Sequence, residues 1–219
     1  MYNLEPAKLP FKNGDRIVFQ GDSITDVGRN RQDDSLPGGG YVAVIKGLLT
    51  ALRPDLQIEI INRGCGGNRT PELIARWDED CINLHPTWLS LMIGVNDVWR
   101  IRGSASGQVH IPLPHYISNM RQLLDRAVES GIPNLILMSP TFIDKNLNSD
   151  LNLMLIDYNE AVKQLAQEYN AIYINVRDKL KEAITQHPEV NWLPDGCHPG
   201  VAGHTIIGVT WLKALEGVR

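Results

Sequence analysis

The stretch RIVFQGDSITDVG (residues 16–28) joins an apolar run to a glycine, an acid and a hydroxyl. Ile17, Val18 and Phe19 are consecutive, branched or aromatic, and show no alternation. That is the pattern of a strand covered on both faces. Gly21 ends it. Asp22 and Ser23 are ordinary loop residues by composition. At the mouth of a buried strand, however, Ser23 is also a candidate nucleophile, and the remainder of the chain has to separate these readings.

Four further runs repeat the first: QIEII (57–61), WLSLMI (88–93), NLILMS (134–139) and AIYINV (171–176). The segments between them have helical periodicity. Leu73, Ile74, Trp77 and Cys81 share one helix face. Leu151, Met154, Tyr158, Val162, Leu165 and Tyr169 stripe a longer helix, and an apolar pattern runs from His204 towards Leu215. Strands alternating with helices predict an α/β fold with a parallel sheet covered on both sides. In such sheets ligands bind beyond the carboxyl ends of the strands. No repeat or linker divides residues 1–219, which read as one domain. Residues 101–114 are weakly periodic and rich in turn formers, and read as an excursion over the site.

Composition narrows the function class. The 219 residues are 43% hydrophobic and 21% charged, with a formal net charge of -4. These values fit a globular chain and give no electrostatic reason to expect a nucleic acid or a membrane as partner. Cys65, Cys81 and Cys197 match neither a disulfide framework nor a metal knuckle, and read as free thiols. The N-terminal MYNLEPAKLPFKNGDR has no apolar h-region or cleavage site, so the expected location is cytoplasmic.

The strand ends carry the chemistry. Gly21, Asp22 and Ser23 follow the first strand. NRGCGGNRT, with Gly64, Gly66 and Gly67, follows the second, and GVNDVW, with Asn96, follows the third. Near the C-terminus, WLPDGCHPGVAGH places Asp195 three residues before His198. Acyl transfer needs this set. A serine hydroxyl is a weak nucleophile until an imidazole takes its proton. A carboxylate fixes the imidazole's tautomer and stabilises its charged form. Preorganised donors meet the charge on the tetrahedral intermediate, each contributing roughly 2.7–4 kcal/mol. The Ser23 N–H, a backbone N–H of the glycine turn and the Asn96 amide are the candidate donors. Asp97, when ionised, has no hydrogen to offer.

In these four blocks, GDS, Asn62–Thr70, GVND and DGCH, the sequence resembles the GDSL, or SGNH, family of serine hydrolases from about residue 15 to about residue 210. The resemblance implies a flavodoxin-like three-layer α/β/α sandwich on a five-stranded parallel sheet. It also implies ester hydrolysis without a cofactor. On it, Ser23 is the nucleophile, Asp195 and His198 are acid and base, and Ser23, Gly67 and Asn96 form the oxyanion hole. GDSITDVGR, RWDEDC and MIGVNDVWR are particularly similar to the branch containing bacterial acetylxylan esterases. A small acyl ester, acetate first, on a carbohydrate is the implied substrate, and a homo-oligomer is a weaker implication. A lysophospholipid or a thioester is the alternative substrate class. A non-catalytic carbohydrate-binding protein on the same fold is the alternative of another class.

Other readings compete at single positions. Gly64 and Gly66 remain alternatives to Gly67 within the same turn; Arg69 stands where the family often has threonine and Thr70 follows, which bears on the loop register and not on the glycine. Asp22 is expected to order its loop through backbone hydrogen bonds and to help position Ser23, and it is a substrate-binding candidate as well. Trp192 is a second such candidate, since an indole face stacks on sugar rings. Asp195, His198 and His204 match no zinc spacing, so no metal is expected. Cys197 is a bystander beside His198, and Gly38–Gly40 fits no phosphate-binding pattern.

Overall fold

The computed structural model describes residues 4–103 and 107–218. Its strands are β1 (Arg16–Gly21), β2 (Glu59–Asn62), β3 (Trp88–Met92), β4 (Asn134–Met138) and β5 (Ile172–Ile174). Its helices are α1 (Ser23–Asp26), α2 (Tyr41–Leu52), α3 (Thr70–Asp80), α4 (Val95–Trp99), α5 (Leu113–Glu129), α6 (Asp150–Glu168), α7 (Val176–Gln186) and α8 (Val201–Leu215). The strands form one parallel sheet in the order β2-β1-β3-β4-β5. This is the doubly wound, flavodoxin-like order, in which the strand order reverses between β1 and β3.

Alternate residues of the central strands face opposite helix layers. Phe19 of β1 meets Tyr41 of α2 and Trp211 of α8. Gln20, one residue on, reaches the other side and donates to the Asp80 carbonyl at the end of α3 (2.6 Å). Ser90 in β3 is buried, but it accepts a hydrogen bond from the Trp211 indole N–H (3.0 Å), so its burial leaves no polar group orphaned. Helices α2, α7 and α8 cover one face, and α3, α5 and α6 the other. The stripe expected on α6 is met by buried Leu151, Tyr158, Val162 and Leu165, while Met154 and Tyr169 lie at its margin.

All five strands form where the apolar runs lie, with shifted ends. β2 starts at Glu59 because the amide and carbonyl of Gln57 are engaged by the Asn13–Gly14 turn. β5 stops at Ile174 because the Asn175 side chain accepts from the Asp178 N–H (3.0 Å) and caps α7. Gly21 allows the close approach of β1 to β3 at the working edge. A Cβ there would lie 2.2 Å from Thr25 Oγ1 and 2.5 Å from the Met92 carbonyl oxygen.

Candidate active site

Ser23 is placed by the junction of β1 and α1. Asp22 caps this short helix, its Oδ1 accepting from the Ile24 N–H (2.9 Å). Ser23 is then the first helical residue, where the backbone N–H is an orphan donor. It has no acceptor among the described residues. The hydroxyl of Ser23 is half-buried and lies 2.7 Å from His198 Nε2.

The Asp195–His198 turn builds the rest of the line. Asp195 Oδ1 accepts from the backbone N–H groups of Cys197 (3.0 Å) and His198 (2.8 Å). Its Oδ2 lies 2.6 Å from His198 Nδ1. Burial pushes the Asp195 carboxyl up, but the two backbone donors and the imidazole outweigh it and hold the group at about 2. An ionised carboxylate only accepts, so the ring proton sits on Nδ1 and leaves Nε2 as the acceptor facing Ser23. The Asp195 side chain is 59% exposed, so its Coulomb attraction is screened and its fixed hydrogen bonds do the orienting.

The glycine turn between β2 and α3 separates its three candidates. Gly64 lies under α1, and a Cβ there would meet the Asp26 amide nitrogen at 2.3 Å. The Gly66 N–H is taken by Asp26 Oδ2 (3.0 Å). Gly67 has φ +79°, a conformation open to glycine at little steric cost, and its N–H meets no acceptor among the described residues. Asn96, in the first turn of α4, is 3% exposed, and one of its two amide hydrogens is held by the Asn68 carbonyl (3.1 Å). The Gly67 carbonyl is held from behind by Arg100 Nη2 (3.5 Å) and Gln108 Nε2 (3.4 Å). Gln108 and Val109, whose carbonyl accepts from Arg69, belong to the 101–114 excursion, which therefore abuts this turn. Its residues 104–106 lie outside the described residues.

Removing the Asn96 amide alone, as Asn96→Ala, is expected to lower kcat by about 10²- to 10³-fold with little change in KM. Steady-state kinetics on p-nitrophenyl acetate measure it. A loss under about 3-fold would remove Asn96 from the list of donors.

Two substrate-binding expectations are corrected. Asp22 is 2% exposed and directed into its own helix terminus, so it orders the Ser23 turn and is shielded from a substrate. Trp192 donates its indole N–H to the His187 carbonyl (2.8 Å). Its ring walls two shallow grooves of about 390 and 330 Å³, between α7, α8 and the 187–193 segment. Neither groove is lined by Ser23, Gly67, Asn96 or His198. The indole braces the chain that leads to Asp195, because its polar edge is already committed to that chain.

The neighbouring rivals are also occupied. Cys197 is buried, which pushes its thiol well up and away from thiolate chemistry. His204 accepts from the Tyr41 N–H (3.2 Å) and stacks on Tyr41, and burial lowers it to about 4. Among the described residues no group of three His, Cys, Asp or Glu side chains is placed to hold a metal ion. Gly40 caps α2, and the Gly39 N–H bonds the Val27 carbonyl.

Burial raises the Asp22 carboxyl to about 7, with the charge of Asp97 adding to it and the Ile24 N–H opposing it. A carboxyl raised in the folded state binds its proton more tightly there than in the unfolded chain. Folding is then most favoured below the unfolded value and loses stability as pH rises towards the folded one. In urea unfolding, Asp22→Asn is expected to gain on the wild type by on the order of 2 kcal/mol between about pH 5 and about pH 8. A pH-independent difference would show that Asp22 does not titrate in this way.

Residues 19–206 match the GDSL-like lipase/acylhydrolase family. The chain belongs to that family. It is a carboxylic ester hydrolase. An acetylxylan esterase of Geobacillus stearothermophilus is 37% identical over 216 residues, covering 94% of this chain and 97% of its own. Crystal structures of catalytic mutants of that esterase, with a histidine or an aspartate replaced by alanine, superpose with TM-scores of 0.86 and 0.84. They are 35% and 34% identical and cover 95% of this chain and 98% of theirs. In that esterase the two replaced residues stand three apart, as Asp195 and His198 do here.

Proposed function

We propose that this chain is a serine acetylesterase acting on acetylated xylo-oligosaccharides. The observation that carries the mechanism is the unbroken line Asp195 Oδ2–His198 Nδ1 and His198 Nε2–Ser23 Oγ, at 2.6 and 2.7 Å. Ser23 Oγ attacks the ester carbonyl carbon while its proton passes to His198 Nε2. The carbonyl oxygen takes the negative charge and is met by the N–H groups of Ser23 and Gly67 and by the free Asn96 amide hydrogen. Collapse breaks the bond to the alkoxy oxygen, which takes the proton from His198 and leaves as the alcohol. Water repeats the sequence on the acyl-enzyme, releasing acetate and restoring Ser23. Asp195 holds the imidazolium in place throughout.

The named substrate rests on likeness to the Geobacillus esterase over nearly the whole of both chains. It is tested by acetate release from a panel of acetylated xylo-oligosaccharides, peracetylated monosaccharides, lysophospholipids and acyl thioesters. The highest kcat/KM is expected on an acetylated xylo-oligosaccharide. In a p-nitrophenyl series the rate is expected to fall steeply beyond acetyl. A lysophospholipid or long-chain optimum would overturn the substrate assignment, and failure of Ser23 to react with a fluorophosphonate probe would overturn the mechanism.

A further inference from the structure

We infer that Asp97 is a positioning residue for the oxyanion hole, acting through Thr70 to fix the Gly67 turn against Asn96. This inference rests on the serine-esterase reading above. Asn96 and Asp97 are consecutive in α4, and both face inward, at 3% and 0% exposure. Each grips the β2–α3 turn at a different residue. The Asn96 amide donates to the Asn68 carbonyl (3.1 Å). The Asp97 carboxylate accepts from the Thr70 N–H (3.0 Å to Oδ1, 3.3 Å to Oδ2) and from the Thr70 hydroxyl (2.7 Å). The residues so held, 68 and 70, lie one and three positions after Gly67.

The direction of each bond is fixed by what surrounds it. Thr70 Oγ1 also accepts from Asn119 Nδ2 of α5 (2.9 Å), so its own hydrogen is committed to Asp97. The Asp97 carbonyl accepts from the Ile111 N–H (2.9 Å), which ties α4 to the chain entering α5. A buried carboxylate is costly unless it is well bonded. Asp97 is bonded to the first turn of the eleven-residue α3, where the helix dipole favours negative charge. The bond set thus locks two segments more than twenty residues apart in sequence, each carrying one oxyanion donor. Loosening it would let the Gly67 N–H and the Asn96 amide drift relative to each other. A displacement of about 1 Å at a reacting centre costs about 10²-fold in rate.

The test is a mutant cycle on p-nitrophenyl acetate, with active enzyme counted by a fluorophosphonate probe so that folded fraction is not read as turnover. Asp97→Asn keeps the shape of the side chain, removes its charge and replaces Oδ2, which the Thr70 N–H meets at 3.3 Å, by an NH₂ donor. Its kcat is expected to fall by about 10- to 100-fold with KM changed by less than about 3-fold. In an Asn96→Ala background the same change is expected to cost under about 3-fold, because one of the two donors it aligns is already gone. Thr70→Val, which removes a single hydroxyl, is expected to reproduce the kcat loss in part, and Thr70→Ser to restore wild-type kcat. If Asp97→Asn does not fold, the Thr70 pair in the two backgrounds carries the same test. A kcat within about 2-fold of wild type, or a loss undiminished by Asn96→Ala, would overturn the inference. An inactive, unlabelled wild type would instead overturn the serine-esterase reading itself.

Discussion

Ser23→Ala is expected to lower kcat on p-nitrophenyl acetate by about 10⁴- to 10⁶-fold, with KM little changed. The reason is in the geometry. The Ser23 hydroxyl lies 2.7 Å from His198 Nε2, and the Asn96 amide is tied separately to the Asn68 carbonyl, next to Gly67. Removing one oxygen therefore removes the bond-forming atom and leaves the rest of the site standing. The fold is expected to persist, with a stability change within about 0.5 kcal/mol, because the lost hydrogen bond is to a half-exposed imidazole that water reaches. Thermal unfolding and turnover measured on the same preparation separate these effects. Activity within about 10-fold of wild type, in a folded variant, would exclude Ser23 as nucleophile.

The second large effect concerns Asp195. Asp195→Asn is expected to lower kcat by about 10⁴-fold, and Asp195→Ala by about 10³-fold. The order is unusual and follows from two observations. The Asn amide has to use its oxygen on the Cys197 and His198 N–H groups, as Oδ1 does in the carboxylate. Its NH₂ then faces His198 Nδ1, which forces that nitrogen to accept and places the ring proton on Nε2. An imidazole in that tautomer has no lone pair for Ser23. The alanine variant loses the partner but imposes no tautomer, and at a position 59% exposed water accepts the hydrogen bond from Nδ1–H instead. Comparing kcat for the two variants checks this, and an alanine variant weaker than the asparagine variant would contradict the tautomer argument.

Much of the site was readable from local sequence. Ser23 stood out because a glycine and an acid follow an unbroken apolar run, and Asp195 and His198 because three residues of a turn bring their side chains together. The parallel sheet was readable because five short runs rich in Ile, Leu and Val alternate with segments of helical periodicity. The choice of Gly67 over Gly64 and Gly66 was not. All three sit in one short turn, and only the placement of Asp26 shows that the Gly66 N–H is spent and that Gly64 is pressed against backbone. Trp192 was misassigned for a related reason. Its chemistry suits a sugar, but the chain bends so that its N–H meets the His187 carbonyl and its ring turns to the α7–α8 side.

The Asp97–Thr70–Asn119 connection left no signal at all in the sequence. Each of its members is ordinary in its own segment, an Asx residue after a strand, a helix-start threonine and an asparagine within a helix.

By itself, then, the order of residues determined which strands form, which groups stand at their ends and what reaction those groups perform together. Hydrophobic period and turn chemistry are short-range properties, expressed within a few residues of the chain. Which glycine offers its N–H, which acids are shut away from solvent and what holds the two oxyanion donors in register were decided only when β1, β2 and β3 came side by side. Hydrogen-bond partners and burial are assigned by neighbours in space, and those neighbours are brought together by the packing of the sheet.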